Sequence, residues 1–249
     1  MKRFLPTFLF FVLSSDLHAQ TAPATAPATQ PALSTPLAAA TAYTQALVDN
    51  DGPALLAAID LSDETVKIIV TAQANRFTAT RHYRDAAQKA FGNVPDNLQP
   101  QSFEAQIQKI ILTDLPHADI AEHGATATVT PRGMGGMATN PGEPPAPDWG
   151  PMFQMTTTLQ KDNTWRVRLQ DSAQMYKMNL DPSSRIQAEI EAVTNPEIET
   201  TAADIAQNKF KTPEEAWQTL RTRMQKVEDA WKQNMMQQRQ NPATSPQPR

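Results

Sequence analysis

Four histidines and 26 carboxylates are the groups available for acid–base or metal chemistry, and there is no cysteine at all. The missing thiol excludes disulfides, thiolate metal sites and a cysteine nucleophile together. Acid–base work would draw on His82, its neighbour Tyr83, Asp114 and Asp119, each of which would need a pocket and a perturbed pKa. His117, Asp119, Glu122 and His123 crowd into seven residues. Their spacing matches no standard zinc arrangement, and a third histidine would have to come from His82. A solvated turn between two strands is the expected setting. Met134 and Met137 lie in a glycine-rich stretch, but thioether binding of Cu(I) calls for more closely repeated ligands. Trp149 is either a lid or an aromatic anchor on the sheet. No phosphate cradle, HExxH, GxSxG or CxxC occurs. No catalytic residue, metal ligand or cofactor is therefore assigned.

Two patterns suit binding better than catalysis. Along Ser62–Phe91, read as one long helix, Val66, Val70, Phe77 and Phe91 fall within one arc at about 100° per residue. Gln73, Thr80 and Arg84 project into the middle of that arc, with Arg76 at its margin. Polar side chains on an apolar face need partners. Those partners are either a ligand, with Arg84 or Arg76 offering a fork to a small carboxylate, or an internal acid, the usual arrangement for buried charge. The second pattern is Trp217, Leu220, Met224, Val227 and Trp231, at alternating spacings of three and four. If this helix folds back on the domain, the stripe is core. If it extends, the stripe is the face for a second copy or a protein partner.

The elements that must position these groups can be read from their stop signals. Ala38–Val48 is a helix ended by Asn50-Asp51-Gly52, and Pro53 opens a short one through Ile59. Ser62 is read as the cap of the long helix, with Leu61 and Val66 as its staple and Gly92 as its stop. Lys109–Asp114 and Ala125–Thr130 read as strands, with a turn at Glu122-His123-Gly124. Met152–Gln160 and Thr164–Gln170 read as a hairpin. In its second strand Trp165, Val167 and Leu169 alternate with Arg166, Arg168 and Gln170, one dry face and one wet. Two helices, Arg185–Val193 and Pro196–Gln207, are separated at Asn195-Pro196. Thr212, Pro213 and Glu215 start the last helix with a capping box.

The chain ends carry a different message. Lys2-Arg3, the apolar run Phe4–Leu13 and a close on Ala19 match a secretory signal peptide cleaved after Ala19. Ten helical residues rise about 15 Å, half of what a bilayer span requires. Residues 20–36 are a charge-free Ala/Thr/Pro linker. A domain at 37–180, a helical extension at 181–238 and a tail at 239–249 follow. Taking Lys2, Arg3 and Asp16 from 22 basic and 26 acidic groups leaves 20 and 25, a net charge of −5. That acidity argues against nucleic acid as partner, and the mature chain has no membrane-length apolar run. The expected location is periplasmic or secreted.

The segments LAAATAYTQALVDNDGPALLAAI, SDETVKIIVTAQANRF, ATATVT and MTTTLQKDNTWRVRL together resemble the NTF2-like superfamily, over about residues 36–175. The resemblance implies an α+β cone, with N-terminal helices packed on a twisted antiparallel sheet and a pocket between the long helix and the concave face. The helices after Asp181 lie outside that pattern. The expectation is an exported, non-catalytic NTF2-like domain that binds a small acidic ligand or a protein partner, with a helical C-terminal extension. Its alternatives are an isomerase- or lyase-type enzyme on the same fold, and a structural module associating through the last helix.

Overall fold

The computed structural model describes residues 33–92, 103–132, 150–178 and 180–240. The expected signal peptide at 1–19, the expected linker up to residue 32, Met134, Met137, Trp149 and the expected tail from residue 241 lie outside the described residues.

Helix α1 (Pro36–Asp49) is capped by Thr35, whose hydroxyl accepts the Ala38 N–H at 3.1 Å, and it stops at Asn50 in the left-handed conformation (φ 51°). Asp51 caps α2 (Gly52–Ala58) through the Ala54 N–H. Gly52 is dictated by proximity: a Cβ there would sit 2.1 Å from the Ala74 carbonyl oxygen, so α2 can meet the next helix only without one. That helix, α3 (Glu64–Phe91), is capped by Asp63 and not by Ser62. Ser62 instead lies one residue before the cap, its N–H donating to Asp60 Oδ1 at 3.0 Å in an Asx-type turn. Gly92 (φ 69°) ends α3 as its sequence position predicts.

Lys109–Asp114 is not a strand. It is the last half of α4 (Phe103–Asp114). A short apolar run does not separate strand from buried helix. The wider spacing does: Ile111 and Leu115 are fully buried and Ile107 packs beside them, while Ile110 is 43% exposed. A single turn of 3-10 helix (Leu115–His117) leads into the sheet.

Strands β1 (Asp119–His123), β2 (Thr126–Thr130), β3 (Met155–Leu159) and β4 (Trp165–Val167) form an antiparallel meander in that order. The turn before β2 is Gly124-Ala125, so Glu122 and His123 belong to β1 and not to the turn. Ala127, Val129, Met155, Thr157, Trp165 and Val167 are all buried, and the register puts them on one face. The burial alternation expected of Thr164–Gln170 holds, with Arg166 and Arg168 half-buried on the other side, but the strand ends at Val167, and Leu169 and Gln170 lie in a turn of 3-10 helix. Helix α1 lies across the sheet, and Trp165 packs against its Ala39. Ile59 bridges Val167 in parallel fashion, and Asp60 N–H donates to the Val167 carbonyl at 2.9 Å.

A short α5 (Gln174–Met178) precedes α6 (Pro182–Ala206) and α7 (Pro213–Gln240). α6 is continuous through Pro196, where two separate helices were expected. An internal proline costs about 3 kcal/mol and orphans the carbonyl four residues back. That carbonyl belongs to Ala192, an exposed residue, where water can satisfy it. The opposite side of α6 lies along α3 over much of its length, and that burial outweighs the break. Thr212 caps α7 as predicted, its Oγ1 accepting the Glu215 N–H; the Glu215 carboxylate reaches back one residue further than the capping box expects and accepts from Lys211 N–H.

The described residues hold two main cores. The first joins α1, α2, α4, the sheet and the first half of α3, around Tyr43, Leu55, Ile59, Val66, Val70 and Ile111. The second joins the other half of α3 to α6 and α7, around Ala79, Tyr83, Ala87, Ile198, Ile205 and Leu220. The fold is thus mixed, helices with an antiparallel sheet, and α3 is common to both cores.

Candidate functional site

The polar residues of α3 divide between the contact with α6 and the ridge beside it. Arg76 Nη2 donates to Thr194 Oγ1 on α6 at 2.7 Å. Burial lowers the Arg76 pKa, against the opposing pull of Glu191. Next to it, Asn195 Nδ2 donates to the Ala72 carbonyl at 3.2 Å. Arg76 therefore clasps α6, and its guanidinium is already engaged. Gln73, Thr80 and Arg84 are half-buried, on the ridge of α3 between its two buried sides. Arg84 Nε is buried without a hydrogen-bond partner. His82 is 55% exposed and meets Glu199 through Nδ1 at 2.9 Å, the surface position its helical phase predicts. The helix across the sheet's inner face is α1, whereas the resemblance puts the long helix α3 there.

The stripe on α7 also divides. Leu220 is 1% exposed and sits in the second core with Ala216; Trp217 and Met224 pack against them. Val227 and Trp231 lie one and two turns further on and are half-buried. Asp204 of α6 accepts from Lys209 Nζ at 2.7 Å and from Arg223 Nη2 at 2.8 Å. Arg223 Nη1 also reaches Thr201. Hydrogen bonds from Lys209 and Arg223 hold the Asp204 carboxyl below the usual carboxylate range. An open trough beside Gln218, Arg221, Thr222, Gln225, Lys226 and Asp229 has walls from α7 alone. It is solvated helix surface, not a pocket.

Sequence reasoning missed one polar cluster. The wet face of the sheet carries Thr126, Thr128, Thr156, Thr158, Arg166 and Arg168, brought side by side by the register. Asp60, 7% exposed, accepts from Thr158 Oγ1 at 3.4 Å, and Gln160 Nε2 donates to the same hydroxyl at 2.9 Å. Burial raises the Asp60 pKa, but hydrogen bonds from Ser62 and the charge of Arg168 outweigh it, and the net shift is downward. Asp162 pairs with Arg166 at 3.1 Å and Asp171 with Arg168 at 3.1 Å. The readable signal was Asp60-Leu61-Ser62, an Asx turn before a helix. The cluster pins the α2–α3 connection to the hairpin.

The interior titratable groups are moved away from neutrality. Burial pushes Tyr83 up to about 12. It also raises the edge-on pair Tyr43 and Tyr176, whose ring centroids are 6.0 Å apart. Asp119 is exposed and paired with Arg132, and it stands below its ordinary value for that reason. Among the described residues no three His, Asp or Glu side chains converge on a metal position. His117, Asp119, Glu122 and His123 are strung along the 3-10 turn and β1.

No family model, curated protein or solved structure matches this chain.

Proposed function

We propose that this is an exported, non-catalytic binding module of NTF2-like type, whose outer half of α7 receives a protein partner. The observation that carries the reading is the uneven burial of the α7 stripe. Leu220 is sealed inside the domain at 1% exposure, while Val227 and Trp231 continue the same stripe half-buried. Large apolar side chains at helical spacing beyond the domain core suit a helix-in-groove contact, and a tryptophan is a frequent anchor in such contacts. The non-catalytic part draws on the interior tyrosines and Asp60, whose pKa shifts run away from the working range of a general acid or base. Export draws on Lys2-Arg3, Phe4–Leu13 and Ala19. Membership of the NTF2-like group draws on the helix-then-meander order and on the buried Trp165 of the last strand.

The test uses the mature protein, whose intact mass is expected to begin at Gln20. Val227→Lys and Trp231→Lys are expected to leave unfolding within about 1 kcal/mol of the parent, as surface changes do. They should remove the crosslinks that α7 makes in the producing cell's envelope. A loss above about 3 kcal/mol in either variant would make the outer half of α7 core and end the partner reading.

A further inference from the structure

Among the described residues, β1 is one end of the sheet. Its partner β2 occupies one side, and all five of its residues, Asp119 to His123, are exposed, with Ile120 at 42%. The opposite end is closed: β4 receives Ile59 and Asp60, and its Trp165 N–H donates to the Leu33 carbonyl at 2.7 Å. A free edge offers backbone N–H and C=O groups to another strand. In β1 that edge is read in a particular order, Asp-Ile-Ala-Glu-His, which is complementary to its own reverse.

We propose that two copies of this chain pair β1 against β1, antiparallel, about a two-fold axis at Ala121. The two four-stranded sheets then join into one of eight strands. In that register Asp119 of one copy faces His123 of the other, twice over by symmetry. Ile120 faces Glu122, and Ala121 faces itself. Directly opposed residues of unlike charge are favourable and like charges are not; here no two acids and no two bases are opposed. Each imidazole N–H can donate to the facing carboxylate. Asp119 already accepts from Arg132 Nε at 2.7 Å, but a carboxylate has about four lone-pair sites and keeps capacity for a second donor. The two Ile120 side chains become diagonal neighbours on one face, within reach of each other. Ala121 leaves the axis free of steric conflict. An arbitrary extended peptide would meet Asp119, Glu122 and His123 without matching charges. A second copy supplies them in order, which is why it is the occupant. A two-fold pairing also closes, so it stops at a dimer.

Sedimentation of the full mature chain tests it, with Asp119→Lys, His123→Glu and the double variant. The parent is expected to be a dimer. His123→Glu places two acids opposite one another twice, and Asp119→Lys replaces the acceptor that faces each imidazole N–H with a cation twice; each should weaken the dimer at least about tenfold. An equimolar mixture of the two single variants restores both pairings and should give a mixed dimer, and the double variant should dimerise alone. Both positions of this test are exposed, and the mixture shows that each single variant is still folded. A parent that stays monomeric up to about 0.5 mM overturns the proposal. So does dimerisation indifferent to Asp119→Lys and His123→Glu, or a mixture that remains monomeric.

Discussion

The sheet core and the helical core of this protein are built on different terms. Around the sheet, large side chains are fully enclosed: Leu55, Ile59, Ile111, Leu115, Met155 and Val167 are each at most 1% exposed. Between α3, α6 and α7, alanines carry much of the contact, with Ala79, Ala87, Ala202 and Ala216 set among Tyr83, Ile205 and Leu220. Small residues let helix axes approach closely, but each buries little area. Polar ties supply the specificity that volume does not: Arg76 to Thr194, Asn195 to the Ala72 carbonyl, and Asp204 to Lys209 and Arg223. One half is held by shape, the other by shape and charge together, so the two should respond to different insults.

The largest expected effect is in the sheet core. Trp165→Ala should lower stability by about 3–5 kcal/mol in denaturant unfolding, and Arg166→Ala, on the wet face, by less than about 1 kcal/mol. Equal losses would mean that β4 does not separate a dry face from a wet one.

Next comes the charge-held half. Asp204→Asn should cost about 1–3 kcal/mol, because it weakens two charge-assisted hydrogen bonds at once. The pH response has a definite sign. The folded pKa of Asp204 is depressed, so its contribution is fully present above the unfolded value of about 3.9 and is lost as pH falls through the folded value. The parent should therefore shed stability in acid below about pH 4, and Asp204→Asn should flatten that slope. An unchanged acid slope would remove Asp204 from the account.

The smallest effect belongs to Arg84. Arg84→Met keeps the apolar stem and removes a guanidinium whose Nε is unpartnered, so unfolding should shift by less than about 1 kcal/mol. Added small carboxylates sharpen the comparison. If they stabilise the parent and not the variant in thermal melts, the ridge between the cores holds an anion.

Much of this was legible in the sequence where a local signal had no rival. Asn50, Gly92 and the Thr212–Glu215 box each specify a helix end through one residue's conformation or one side-chain bond, and the β4 alternation specifies a face. Long-range burial was not legible. Lys109–Asp114 is apolar enough for either strand or helix, and only the packing of Ile107, Ile111 and Leu115 on α1 and the sheet decides it. Pro196 looks like a break until α3 is seen lying along α6. The α3 polar residues were found as a group, but a helical wheel does not say which neighbour each side meets. Arg76 turned out to meet α6. Asp60 is not legible as a tie to the hairpin, because a lone aspartate before a cap residue specifies only the turn.

The 28 residues of α3 run for about 42 Å at the usual helical rise, and no proline or glycine interrupts them between Glu64 and Phe91. Its first half is anchored by Val66 and Val70 in one core and its second by Ala79 and Tyr83 in the other. Such a helix behaves as a drive shaft between two gearboxes. A twist or tilt imposed by α6 at one end is delivered to α2 at the other without a hinge to absorb it. Unravelling of α3 that starts in one core must break helical hydrogen bonds near Phe77 to reach the other, so the two cores, for all their different ties, share one continuous element.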